Sequence, residues 1–204
     1  MENIAFRVSI GRWITEGWNL FLRDIGTFAV VGVASTVILS VLFPFVWGPV
    51  FVAASYTALR LIERGRVTPQ DYLEGYRFFL PALLAGFLIT IFSFLGLILL
   101  IIPGILIFSI HLFTFCFMSE KGLNFWEAMR ASRRVAATDY FGFFMFAVVL
   151  GLLNLLGAMF FYVGLVFTLP VSACAVAVAF REAVGLPAAP APELLISTAP
   201  VVIE

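Results

Sequence analysis

Charge is what this sequence has least of. Only 12% of its 204 residues are charged, about half the share of a soluble globular domain. Twelve basic residues balance twelve acidic ones, so no net field favours nucleic acid as a partner. There is one histidine, His111, and there are two cysteines, Cys116 and Cys174, all inside apolar runs. Three such residues lack the number and spacing of a metal site. The cysteines read instead as small buried hydrophobes. No phosphate-cradling glycine loop, Ser-His-Asp set or HExxH pattern occurs. Neither an enzyme nor a cofactor is expected. Apart from His111, the apolar runs also lack the carboxylate or basic residue that ion-coupled pumps hold at membrane depth. No cleavable signal peptide is expected, because the first apolar run starts only after Asp24 and no small-residue cleavage site follows a short run.

What the chain has in abundance is hydrophobic surface. It is 63% hydrophobic, with 24 phenylalanines and a mean hydropathy of +1.11. That composition indicates a polytopic membrane protein. Six apolar runs fit helices: Gly26 to Phe43, Val50 to Ile62, Ala82 to Ile102, Ile105 to about Met118, Phe141 to about Phe160, and about Val163 to Phe180. Pro103-Gly104 is expected to close the corner between the third and fourth, since proline ends one helix and glycine frees the next.

An amphipathic stretch precedes each pair of runs. In residues 4–23, Ile10, Trp13, Ile14, Trp18, Phe21 and Leu22 recur at helical spacing opposite Arg12, Glu16, Asn19 and Arg23. This predicts a helix lying in the interface with its tryptophans at headgroup depth. Thr68 with Pro69 and Asp71, and Asn124 with Glu127, read as N-caps of two further helices. In the second of these, Trp126, Met129, Arg133, Ala136 and Tyr140 share a predicted stripe. Glu16, Asp71 and Glu127 lie 55 and 56 residues apart, and Gly65, Gly122 and Gly185 each follow charged residues. The expected fold is therefore all-α: six transmembrane helices as three hairpin repeats (about 4–65, 68–122 and 124–185), each preceded by a cytoplasmic-side amphipathic helix. Residues 1–185 form one membrane domain, and 186–204 form a Pro/Ala-rich tail.

Every Lys and Arg falls on the same side of this arrangement, which the positive-inside rule makes cytoplasmic for both termini. Four arginines, Arg77, Arg130, Arg133 and Arg134, are the candidates for lipid headgroups, since each cation near an anionic leaflet contributes about 1 kcal/mol. His111 and Asn154 are the candidate intramembrane polar site. Ala173, Ala175 and Ala177 make the sixth helix small on nearly every face, so it suits either the centre of the bundle or a contact with a partner subunit.

Three short motifs carry a likeness to known sequences: Ile101-Ile102-Pro103-Gly104-Ile105, Trp126-Glu127-Ala128-Met129 with Ser132, and Phe180-Arg181-Glu182-Ala183-Val184-Gly185. Through them, residues 10–185 resemble a broad bacterial family of uncharacterised six-helix membrane proteins. That family is grouped with the membrane domain preceding some glycerophosphoryl diester phosphodiesterases. The resemblance implies a bundle in the bacterial inner membrane and no activity, because the soluble catalytic domain of those phosphodiesterases has no counterpart here. The expected function is a non-enzymatic accessory or scaffold protein that packs against other membrane subunits and binds membrane lipids. The alternative is a transporter or exporter of an apolar or lipid-like solute, with a site near His111 and Asn154.

Overall fold

A computed structural model describes residues 8–42, 47–99, 101–159 and 164–185. The Pro/Ala-rich tail and the first residues of the Phe43–Pro49 turn lie outside these. Ten α-helices follow one another: α1 Ile10–Arg23, α2 Ile25–Leu42, α3 Trp47–Arg64, α4 Pro69–Gly75, α5 Phe79–Leu99, α6 Ile101–Ile110, α7 Thr114–Lys121, α8 Phe125–Ala136, α9 Tyr140–Met159 and α10 Leu165–Val184. No strand occurs among the described residues. Four helical stretches are long and apolar enough to cross a membrane: Pro69–Gly96, Ile102–Lys121, Tyr140–Met159 and Leu165–Val184. A fifth is reached if α1 and α2, bent by 104° at Asp24, are taken together. The second apolar run forms α3, whose C-terminal end carries Arg60, Glu63 and Arg64, so its apolar part is shorter than a full crossing.

Two helices are the most deeply buried. α3 is buried almost throughout from Trp47 to Ile62, and α10 from Pro170 to Phe180. α7 joins them through rings: Phe117 meets Phe180 edge-on at 4.9 Å, and Trp47 meets Phe115 at 5.5 Å. In a bilayer, lipid competes with helix for apolar contact, so close approach between small residues drives such packing. A Cβ added to Gly48 would meet the Ala82 carbonyl oxygen at 2.2 Å, and one on Gly32 the Val166 oxygen at 1.9 Å. α5 and α9 add Ile89, Phe143 and Phe146 to the buried core and expose Phe87, Phe94, Ile98, Phe141 and Met159 on their other faces.

Two details differ from expectation for local reasons. Residue 100 lies outside the described residues, and Pro103 and Gly104 fall in the first turn of α6, Ile101–Ile110, rather than between the two helices. Proline is tolerated there because its missing N–H would have had no partner, and Gly104 serves a close approach of Gly96 instead. The fourth run is broken. His111 to Phe113 form a turn with short-range hydrogen bonds, including His111 N–H to the Phe108 carbonyl, between α6 and α7.

The polar ends are tied by carboxylates. Asp24 caps α2 through the Thr27 N–H at 3.2 Å and accepts the Val67 N–H at 3.4 Å. Asp139 caps α9 through the Gly142 N–H at 2.8 Å and accepts the Val8 N–H at 3.4 Å. The expected caps form as well: Asp71 accepts the Thr68 N–H at 2.7 Å, and Asn124 accepts the Glu127 N–H at 3.0 Å. α3, α7 and α10 each end on a left-handed glycine, with φ of 71° at Gly65, 61° at Gly122 and 70° at Gly185. Glycine is the residue that adopts that conformation without a Cβ clash.

Candidate functional site

Arg77, Arg130, Arg133 and Arg134 are all exposed. Arg130 stands 5.6 Å from the Trp126 ring, and Arg77 4.6 Å from the Phe78 ring. Both distances fall within the range of cation–π attraction. The buried stripe of α8 is Ala128, Met129, Ser132 and Ala136. Trp126 and Tyr140 are about half exposed, at 49% and 48%, so the predicted stripe was rotated and Arg133 stands outside the buried face. The small residues Ala128, Ser132 and Ala136 explain the rotation, because they let α8 approach its neighbours closely.

His111 sits in the break between α6 and α7, with Nδ1 2.8 Å from the Ile107 carbonyl oxygen. It lines a cavity of about 20 Å³ with Trp47, Ser55 and Phe115, room for about one water molecule. Asn154 does not line that cavity. Its Nδ2 donates to the Leu150 carbonyl and to Ser172 Oγ, both at 2.8 Å, so it joins α9 to α10. The two residues proposed as one site belong to separate contacts.

Ala173, Ala175 and Ala177 are 2%, 0% and 0% exposed. Their neighbours are the chain's own helices: Gly17 of α1 packs on Ala175, and Val31 and Ala53 cluster with Ala173. Of the two roles the sequence leaves open, these positions occupy the bundle centre.

Several residues with central roles are silent in the sequence. Ser132 spans the helix break: its Oγ accepts the Phe113 N–H at 3.1 Å and donates to the Ile110 carbonyl at 2.8 Å. Trp13, fully buried, packs edge-on against Phe146 at 5.0 Å and donates Nε1–H to Glu182. Arg12 pairs with the same carboxylate. Of the two tryptophans expected at headgroup depth, only Trp18 is exposed, at 47%. Glu63 takes Arg60 at 2.6 Å and Arg181 at 3.8 Å, linking the ends of α3 and α10. Both cysteines are free and buried. No cluster of metal-ligating side chains occurs among the described residues.

These features define an all-helical protein with helices of membrane-spanning length and a tightly packed interior. Comparison with protein-family models, with curated proteins and with solved structures finds no match.

Proposed function

We propose that this chain is a six-span protein of the bacterial inner membrane, built as three hairpin units closed into a ring. In this reading it is a non-enzymatic accessory or scaffold protein that packs against other membrane subunits and holds lipid along Arg77, Arg130, Arg133 and Arg134. Membership of the six-helix family suggested by the Pro103-Gly104 and Trp126-Glu127 motifs belongs to the same proposal.

The ring is supported by contacts that repeat with a fixed order. Each surface helix places a small residue seven or eight positions after its N-cap against the return helix of the preceding unit. Gly17 meets Ala175, Gly75 meets Ala53, and Ser132 bonds to Ile110 and Phe113. The contact of the first unit with the third closes the circle. Asp24 and Asp139 each follow an N-cap by 15 residues and bind the N–H at the entry to the next unit. The middle unit departs from this, running from α4 through a 3-10 turn (Tyr76–Phe78) into α5.

The observation that carries the scaffold reading is the contrast between interior and flanks. The space beside His111 holds about 20 Å³, far below the few hundred Å³ that a bound solute needs. The flanks of α5 and α9 are broad, apolar and exposed. Because Ala173, Ala175 and Ala177 are enclosed, a subunit contact falls to those flanks. The test is extraction of the native protein in a mild detergent, followed by mass spectrometry of the intact assembly. Stoichiometric membrane subunits are the expected result. A lone chain carrying one defined small solute would favour the transporter instead.

A further inference from the structure

We propose that the cavity between α1 and the ends of α3 and α10 binds the phosphodiester headgroup of a membrane lipid. The proposal rests on the membrane reading above, and its site is separate from the arginines of the α8 region. The cavity measures about 580 Å³. One wall is the polar stripe of α1, where Arg12, Glu16, Asn19 and Arg23 recur at helical spacing; the other is formed by Arg181 and Glu182 of α10. The floor is apolar, made by Leu20, Ile62 and Val178.

Charge accounting narrows the ligand. Arg12 is engaged by Glu182 and stands 3.8 Å from Glu16, while Arg181 faces Glu63 at 3.8 Å. Arg23 has no ion-pair partner among the described residues, and it lines the cavity together with the Asn19 amide. Arg23 is thus a guanidinium with no ion-pair partner among the described residues, beside a neutral hydrogen-bonding group and above an apolar floor, while Glu16 and Glu182 share Arg12 farther along the stripe. A phosphodiester carries a single negative charge and is attached to an apolar body, matching all three. A dianionic free phosphate would bring its second charge toward Glu16 and Glu182 and leave the floor unused. Trp18 and Leu22 of α1, with Ile25 at the start of α2, supply a route for acyl chains: they are 47%, 49% and 49% exposed. An interfacial helix of this kind places its charged edge at phosphate depth.

The experiment uses the full chain in a neutral detergent, titrated with short-chain phosphatidylglycerol, with a diacylglycerol of the same chains, and with inorganic phosphate. Bound molecules are counted by native mass spectrometry. Phosphatidylglycerol is expected to be retained over diacylglycerol. Arg23→Ala is expected to weaken retention by about tenfold, the lower range for losing a hydrogen bond to a charged group. Asn19→Trp, which fills the cavity from an exposed position, should reduce it as well, and Lys121→Ala should not. Equal retention of both lipids, or undiminished binding by both Arg23→Ala and Asn19→Trp, would overturn the site. Tight competition by inorganic phosphate would overturn the lipid as its source. If the chain is released from bilayers by alkaline carbonate, the membrane reading itself falls. If it stays inserted while the variants bind normally, only the headgroup site does.

Discussion

Asp139 holds Val8: one carboxylate oxygen accepts the Val8 N–H at 3.4 Å while the other caps α9 at the Gly142 N–H. A contact spanning 131 positions thus ties the start of the described chain to its last third. Loss of an N-cap costs about 1 kcal/mol, and Asp139→Ala removes the tether as well. Its thermal midpoint in detergent should fall, and limited proteolysis should cut ahead of α1 more readily. Asp139→Asn keeps an oxygen for the cap and should lose less. If Asp139→Ala melts and digests like the parent protein, the tether does not hold the chain.

Ser132 hydrogen-bonds to both sides of the break between α6 and α7. Ser132→Ala leaves the N–H of buried Phe113 without that partner, at a cost of about 1–3 kcal/mol. Faster amide hydrogen exchange at Phe113 and Thr114 is the specific readout. A uniform loss of protection across all helices would instead mean that the break is held by general packing.

Gly17 and Gly11 lie on the same helix and should respond in opposite directions. A Cβ at Gly17 would sit 2.6 Å from the Ala175 backbone nitrogen, whereas one at Gly11 meets nothing within 4 Å. Gly11→Ala should gain up to about 1 kcal/mol of helix propensity. Gly17→Val should lower the midpoint sharply, because the obstacle is main chain and cannot rotate away. Comparable midpoints for the two variants would show that α1 does not rest on α10 at this crossing.

Trp13 and Glu182 can be separated by a double-mutant cycle. Trp13→Phe keeps a ring against Phe143 and Phe146 but loses the indole N–H that Glu182 accepts. Trp13→Ala, at a fully buried position, should cost about 3–5 kcal/mol. A coupling energy near zero between Trp13→Phe and Glu182→Gln would deny the hydrogen bond any role in holding α1 to α10.

Topology has its own test. Cysteines placed at Arg66 and Thr138, both exposed, in a chain lacking Cys116 and Cys174 should react with an impermeant thiol reagent only after cells are opened. Labelling of either in intact cells would reverse the proposed orientation.

Local rules made much of the architecture legible. Hydropathy marked where helices run, because burial in lipid depends on each segment's own side chains. The caps at Thr68 and Asn124 were readable because donor and acceptor lie three residues apart. The left-handed glycines were foreshadowed by charged helix ends followed by Gly65, Gly122 and Gly185.

What tertiary structure alone decided are the pairings. Smallness at Ala173, Ala175 and Ala177 announces a close approach but cannot say by which helix, and the neighbours proved to be the chain's own α1, α2 and α3. Trp13 and Trp18 carry the same side chain on the same helix, yet one is enclosed by α9 and α10 and the other is exposed. The bonds of Ser132 reach back 19 and 22 positions, and the cavity beside Arg23 exists only where three helices converge. Composition and periodicity report how a segment meets its solvent; which segments meet one another depends on shape and directed hydrogen bonds that appear only after the chain has closed.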